Sequence, residues 1–430
     1  MTIYQYEDQF YQILKEELVP AKGCTEPIAI AFAAAKARAI LGDYPNKIIV
    51  SASGNLIKNI RCVTVPNTGN LVGIEASAIA GMVGGDSDLD LEVISNITEE
   101  DLQLINQYLL KKIVRVTLLD TPLNLHFTLK ASTANDEVFI EIKNLHTNIV
   151  KITKNNQVIY EKSHVKEEYF GVETDRSFLT IERIIHFCES TDIHQLRKIL
   201  ERQIKDNMAI AEKGLQGQFG VEIGKTILKH DQTIYGKIKA YTAAASEARM
   251  SGCSLPVITN SGSGNQGIAS SIPVIIYANH INASEEKMLR SLALSNLLTI
   301  YQKGYIGRLS AFCGAISATV SSGATLTYLE GGSLEQVKMT ITNALANVSG
   351  VVCDGAKPSC ASKIVTGLEA SFLGHHLAME NRQYNPLSGI LKDSADGTIN
   401  AVGKMASEGM KDTDKVILAL MLEDINMLNE

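Results

Sequence analysis

The chain has 430 residues, 45% of them hydrophobic and 20% charged, with no tryptophan. That length exceeds what one hydrophobic core normally serves, so two domains are expected, and the composition reads as a compact soluble globule rather than a disordered tail. The net charge of −7 offers no general attraction to phosphate backbones or anionic membranes, which argues against a nucleic-acid partner.

The opening stretch "MTIYQYEDQFYQILKEEL" carries Glu7, Asp8, Glu16 and Glu17 where a signal peptide needs a basic start, and reads as an amphipathic helix. Apolar runs such as "PIAIAFAAA" and "IPVIIYA" fall short of the ~20 residues of a membrane span, so a cytoplasmic protein is expected. A second helix follows "VPAKGCTEP", with Thr25 as its N-cap hydroxyl, Glu26 in an acidic first turn and Pro27 at a tolerated position. Cys24 then sits just before a helix N-terminus.

From about 46 to 165 short β-branched runs appear: "NKIIVSASG", "IRCVTVPN", "IVRVTLLD", "NLHFTLKAST", "EVFIEIKN" and "VIYEKSH". Helical patterns at 74–84 and 100–111 separate some of them, and an antiparallel meander is expected late in the segment. Amphipathic helix returns over about 166–205, as in "SFLTIERIIHFCES" and "IHQLRKILERQIKD". The rest is helical almost throughout, rich in alanine, serine and glycine. Between residues 251 and 375 there are 13 charged side chains in 125 positions, about half the chain-wide density, so these helices are expected to be mostly buried. The reading is α+β: N-terminal helices over 1–45 packed on the helical domain, a smaller α/β domain over 46–165, and a largely all-α C-terminal domain over 166–430.

Seven cysteines, an odd number, argue against a disulfide framework. Three fall in the apolar helical region: Cys313 in "RLSAFCGAISA", then Cys353 and Cys360 in "VVCDGAKPSCASKI". Thiolates are soft ligands suited to zinc or iron–sulfur clusters, although small buried thiols are also common core residues. A loop holding Asp354 and Lys357 amid buried helices needs a reason. Zinc is the weaker candidate, because no second close ligand pair follows; adjacent His375 and His376 point apart on a helix. Cys62, Cys188 and Cys253 lie singly and are read as structural.

In "PVITNSGSGNQGIASSIPVII", residues 256–276, a β-like run enters a Gly/Ser/Asn turn that opens a helix. Such a turn can cradle an anion on backbone N–H groups, and it matches neither nucleotide-binding glycine motif, so a carboxylate is the better guest. Ser261, Ser263, Asn265 and Gln266, around Gly264, are its polar donors. A thiol at a helix start has its thiolate favoured by the macrodipole, which makes Cys24 a candidate base or ligand. In "SGNLIKNIRCVTVPNTGNLVGI", Asn55, Lys58, Asn59, Asn67 and Thr68 read foremost as turn formers, with Asn55 and Asn67 kept as candidate substrate contacts.

Taken together, "GCTEPIA", "NSGSGNQGI", "CGA" near 313 and "VCDGAKPSCA" resemble the L-cysteine desulfidase family, whose bacterial members are serine dehydratase alpha-chain-like. The likeness runs from residue 24 to about 375, and the C-terminal half also resembles the iron–sulfur L-serine dehydratases. The resemblance implies a [4Fe–4S] cluster buried in the helical domain and held by Cys313, Cys353 and Cys360, with one iron open. In the dehydratase relatives a C-terminal cysteine caps that iron; this chain reads "MLEDINMLNE" there, so solvent, substrate or Cys24 would take the place. The implied activity is a non-redox β-elimination of L-cysteine, and of L-serine as a second substrate, to pyruvate, ammonia and sulfide. Cys24 is the first choice of base, with Lys357 or Lys363 as alternatives, and the glycine turn would hold the substrate carboxylate. Serine dehydration as the main activity, a pyridoxal enzyme and a non-catalytic amino-acid-binding protein are the competing readings. The expected partner is a small amino acid, with a homodimer as an open expectation.

Overall fold

The chain is α+β, as its pattern of elements implies. A computed structural model describes residues 6–162 and 174–428, with side chains described up to residue 421. Helix α1 (Glu7–Glu17) and a short strand β1 (Pro20–Lys22) lead into α2 (Thr25–Leu41). Next come β2 (Lys47–Ala52), α3 (Gly54–Ile60), α4 (Gly73–Gly84), α5 (Glu99–Leu110), β3 (Val114–Leu118), β4 (His126–Ser132), β5 (Glu137–Lys143), β6 (Ile149–Lys154) and β7 (Gln157–Glu161). Strands β2 to β7 form a six-stranded sheet in the order β3-β2-β4-β5-β6-β7, parallel only between β2 and β3, so the expected late meander is present.

In β4 and β5 every second residue is buried, the mark of a sheet with one covered face. Helices α2 and α4 cover it. Their approach depends on small residues, since a Cβ on Gly81 would lie 2.0 Å from the carbonyl oxygen of Ala31. The run "IRCVTVPN" is not a strand: it closes α3 and enters a turn with left-handed Asn67, Gly69 and Asn70 after Pro66, leaving one bridge between Thr64 and Val72. Strand β6 was not singled out by its sequence, and the end of "VIYEKSH" lies outside the described residues.

The second half is α6 (Ile181–Ser190), α7 (Ile193–Gln216), α8 (Ile223–His230), α9 (Ile234–Met250), β8 (Pro256–Ile258), α10 (Gly264–His280), α11 (Glu285–Ile306), α12 (Gly314–Leu329), α13 (Leu334–Val348), α14 (Cys360–Met379), α15 (Ala395–Lys404) and α16 (Lys411–Leu428). Helix α12 is its axis, packed by α10, α11, α13 and α14 and buried at every position from Ala315 to Leu329. Its hydroxyls bond back to the preceding turn, Ser321 to the carbonyl of Ser317 and Thr325 to that of Ser321, which makes polar residues tolerable in so dry a place.

Two hydrophobic clusters result, one around the sheet and one around α12. They divide residues 1–45 between them, with Phe10 and Ile13 of α1 in the helical cluster and Ile28 and Ile30 of α2 in the sheet cluster. Strand β1 pairs antiparallel with β8, which stitches the N-terminal segment to the entrance of the glycine-rich turn. Among the described residues no helix is long and apolar enough to cross a membrane.

Candidate active site

The segment before α12 and the segment before α14 run alongside each other like a short ladder. Cys313 N–H donates to the carbonyl of Val351, Cys353 N–H donates to that of Ala311 at 2.6 Å, and Phe312 bridges Val352. This brings Cys313 and Cys353 to one place. Gly355 then turns with φ +97, pressed so closely on α3 that a Cβ there would lie 2.6 Å from the carbonyl oxygen of Lys58, and Cys360 opens α14. All three cysteines line a single cavity.

The charges of this loop have a structural reason. Asp354 pairs with Lys357 at 2.5 Å and with Lys363; although burial works the other way, these bonds hold its carboxyl at about 2. Lys357 and Lys363 are therefore engaged with Asp354, and neither lines the cavity. The fully buried Lys58 donates to the carbonyl of Cys353 at 3.2 Å and pairs with Asp414 at 2.5 Å, tying the loop to both α3 and α16.

Burial first, and then the neighbouring Cys353 and Cys360, push the Cys313 thiol up to about 12; burial also raises Cys360. Thiols that raise one another's proton affinity are relieved by a shared cation. Among the described residues no three of His, Cys, Asp or Glu converge closely enough to chelate a single ion. What the site offers a metal group is three soft thiol donors on one cavity, a donor set suited to an iron–sulfur cluster.

Across the cavity lies the turn between β8 and α10. Ser261 and Gly262 adopt left-handed φ of 50 and 79, and Thr25 donates to the carbonyl of Gly262 at 2.8 Å. Thr25 is therefore not the cap of α2; that position is Cys24, which makes no side-chain cap bond. One of the expected donors is engaged internally, since Ser261 Oγ donates to Asn260 at 2.8 Å; Asn265 is oriented through its Oδ1, which accepts from Ser246 and from Arg249 Nη1 at 3.1 Å, so that its Nδ2 is the donor end. Ser263 and Gln266 line the cavity with them, and the Oε1 of Gln266 has no partner. Gly264 lets Arg249 approach, since a Cβ there would lie 2.3 Å from its Nε. Gly314 does the same for Gln266 and Lys303, at 2.6 and 3.2 Å.

Cys24 lines the cavity, but not as a helix-activated thiolate. It is buried and donates to Glu26 Oε2 at 2.9 Å; burial and then the Glu26 charge push its thiol well up, and these outweigh the helix terminus. Asn55 and Asn67 lie outside the lining: Asn55 bonds to Asn124 and Asp414, Asn67 to the carbonyl of Ile94. His375 is buried in a bond with Thr327 at 2.9 Å. Cys188 and Cys253 are buried, while Cys62 is exposed.

The structure adds residues to which the sequence assigned no site role. From the sheet side Glu26, Asn59 and His146 reach the cavity; from the helical side come Arg249, Lys303 and Arg308. Lys303 is 5% exposed, its amine has one long bond to the carbonyl of Arg308 at 3.4 Å, and burial lowers it to about 8. Arg308 is held by the buried Glu17 at 2.6 Å, which Arg176 also grips at 2.6 Å. The usable signal was a charge in a nearly chargeless stretch: "LLTIYQKGYIGRLS" contains only Lys303 and Arg308.

Residues 88–419 match the serine dehydratase alpha chain family. Over nearly its whole length the chain is also similar to UPF0597 proteins: 47% identical to that of Treponema denticola (97% of this chain, 98% of the other) and 46% to that of Finegoldia magna (96% and 99%). One from Bacteroides fragilis is 36% identical over 96% of this chain and 97% of its own. A match over most of the chain, with such extended likenesses, means that the protein belongs to the serine dehydratase alpha-chain family.

Proposed function

We propose that this chain is a β-eliminating lyase of small α-amino acids, converting L-cysteine to pyruvate, ammonia and sulfide, with L-serine as the oxygen counterpart. One observation carries the reading: three cysteines, a buried lysine amine and a set of unpartnered polar atoms line the same cavity in a member of the serine dehydratase alpha-chain family. Cys313, Cys353 and Cys360 would hold a [4Fe–4S] cluster, which when bound supplies a Lewis-acidic iron suited to a departing sulfur or oxygen.

The rest falls to the chain's own residues. Lys303 is the proposed base, because its amine is buried, weakly bonded and lies, with Gln266, against Gly314 at the start of α12. In neutral form it takes the α-proton; the C–H electron pair becomes the Cα=Cβ bond, and the C–S pair leaves with sulfur. The resulting aminoacrylate tautomerises to an imine, and water hydrolyses it to pyruvate and ammonia. No electron is gained or lost overall. Cys24 stays protonated on Glu26 and is better suited to donate a hydrogen bond than to abstract a proton. The enclosing glycine turn orients the substrate and limits water.

Anaerobic reconstitution is the test. The protein should bind iron and sulfide, absorb broadly in the visible, and release sulfide and pyruvate from L-cysteine. Cys313→Ser, Cys353→Ser and Cys360→Ser should each lose iron, whereas Lys303→Met should keep the absorption and lose turnover by about 10²–10⁴-fold. Colourless, inactive protein under full iron supply would overturn the reading, as would lysine trapping by borohydride with loss of a pyridoxal absorption.

A further inference from the structure

Four side chains lining the cavity are almost completely buried yet leave a polar atom without a partner. They are Arg249 at 2% exposure, Gln266 and His146 at 5%, and Asn59 at 6%. Buried polar atoms are ordinarily paired, because an unpaired one has lost its water without replacement. Four around one space describe the guest that would satisfy them.

The donors come first. Arg249 has Nη1 occupied by Asn265, while Nε and Nη2 are free. The N–H bonds on those two atoms run parallel along one edge of the guanidinium, the spacing that grips both oxygens of a carboxylate. The acceptors are Gln266 Oε1 and Asn59 Oδ1. Asn59 is fixed in orientation because its Nδ2 donates to Glu26 Oε1 at 3.1 Å, so its carbonyl oxygen is the free end. Burial opposes the Glu26 charge, but the bond from Cys24 and the Arg249 charge help to hold its carboxyl below the usual range, which puts a carboxylate on the acceptor side. One cavity thus offers a two-pronged donor and two acceptors beside a carboxylate.

We infer that the pairing of Arg249 with Gln266 and Asn59 is a reader for a zwitterionic α-amino-acid head, with Arg249 as carboxylate anchor and the two amide oxygens receiving the ammonium group. This rests on the proposed amino-acid lyase for its substrate class, and it makes both charged ends obligatory. It also shifts the carboxylate's main anchor from the side chains of the glycine turn, of which Ser261 is already engaged, to an arginine that Asn265 Oδ1 of the same turn holds in place. Gly264 is part of the device, since any side chain there would strike Arg249.

L-alanine has the head group and no leaving group, so calorimetry with the full-length, cluster-loaded protein reads binding apart from turnover. L-alanine should bind, while propionate, which lacks the ammonium, and ethylamine, which lacks the carboxylate, should each bind weaker by on the order of 10²-fold or more. Arg249→Met should lose L-alanine binding to a similar degree. If that variant does not fold, Gly264→Ala keeps the arginine but displaces it and should show the same loss with a native melting profile. Propionate or ethylamine binding within threefold of L-alanine overturns the inference; so does undiminished L-alanine binding in Arg249→Met or Gly264→Ala, or none to the wild-type protein. Failure of sulfide release with L-alanine binding intact would count against the lyase reading alone.

Discussion

Strands β4 and β5 bury every second residue and leave those between half exposed, whereas α12 buries every side chain from Ala315 to Leu329. The sheet gains stability from one apolar face and can accept almost anything on the other. The bundle around α12 has no free face: it packs small residues at close range and satisfies its hydroxyls internally. A cavity set against that bundle inherits its dryness. Charges there, such as Lys303 and Arg249, are stripped of water, which would suit the proposed chemistry on a small zwitterion.

The contrast breaks most readily at the helical packing contacts. Gly267 of α10 lies against β8, where an added Cβ would sit 1.9 Å from the backbone oxygen of Ile258. Gly267→Ala should destabilise the protein by about 3 kcal/mol or more, at the upper end of overpacking costs, in denaturant titration. A cost under about 0.5 kcal/mol would show that the bundle yields as easily as a surface.

His146, in the loop between β5 and β6, sharpens the comparison because it reaches from the sheet side into the dry cavity. Burial first, then the charges of Arg308 and Arg249 against those of Glu26 and Glu17, lower it from 6.5 to about 4. Below its ordinary value the unfolded chain binds a proton that the folded one does not. Its contribution is therefore complete above 6.5 and is lost as the pH falls toward about 4. The slope is at most about 1.4 kcal/mol per pH unit. Melts of His146→Asn between these limits should be flatter than wild type by that amount; identical slopes would place the ring in water.

The smallest effect belongs to the sheet's outer edge. Val158 on β7 is 51% exposed, and Val158→Thr should leave stability within about 0.5 kcal/mol in the same titration. A larger loss would show that β7 is covered by something.

Legibility followed the same divide. Period-two alternation announced β4 and β5, and the glycine turn was visible because few residues tolerate its left-handed backbone. The cysteine trio stood out by residue type and loop composition. Arg249, Lys303 and His146 carried no motif, and Asn59 read as a turn former, since a single polar residue looks alike whether it caps a turn or faces a cavity. On α3, Asn59 lines the cavity while Asn55 does not, a distinction made by which face of that helix meets Glu26, and Asn67 lies in the turn beyond it. The state of the Cys24 thiol is likewise illegible locally: the helix-terminus effect is local, but the burial and the Glu26 charge that oppose it depend on tertiary packing.

What the sequence determined by itself was the local part: the α+β division, the sheet meander, the depth at which the later helices lie, and the cysteine and glycine segments that make a site. Those follow from periodicity, turn chemistry and charge density, which act over a few residues. Convergence was decided only in three dimensions, where the ladder between 311–313 and 351–353 joins two cysteines and the meeting of the two clusters sets Glu26, Asn59 and His146 opposite Arg249 and Lys303. Burial and electrostatic shifts depend on atoms far away along the chain, and no short window of sequence contains them.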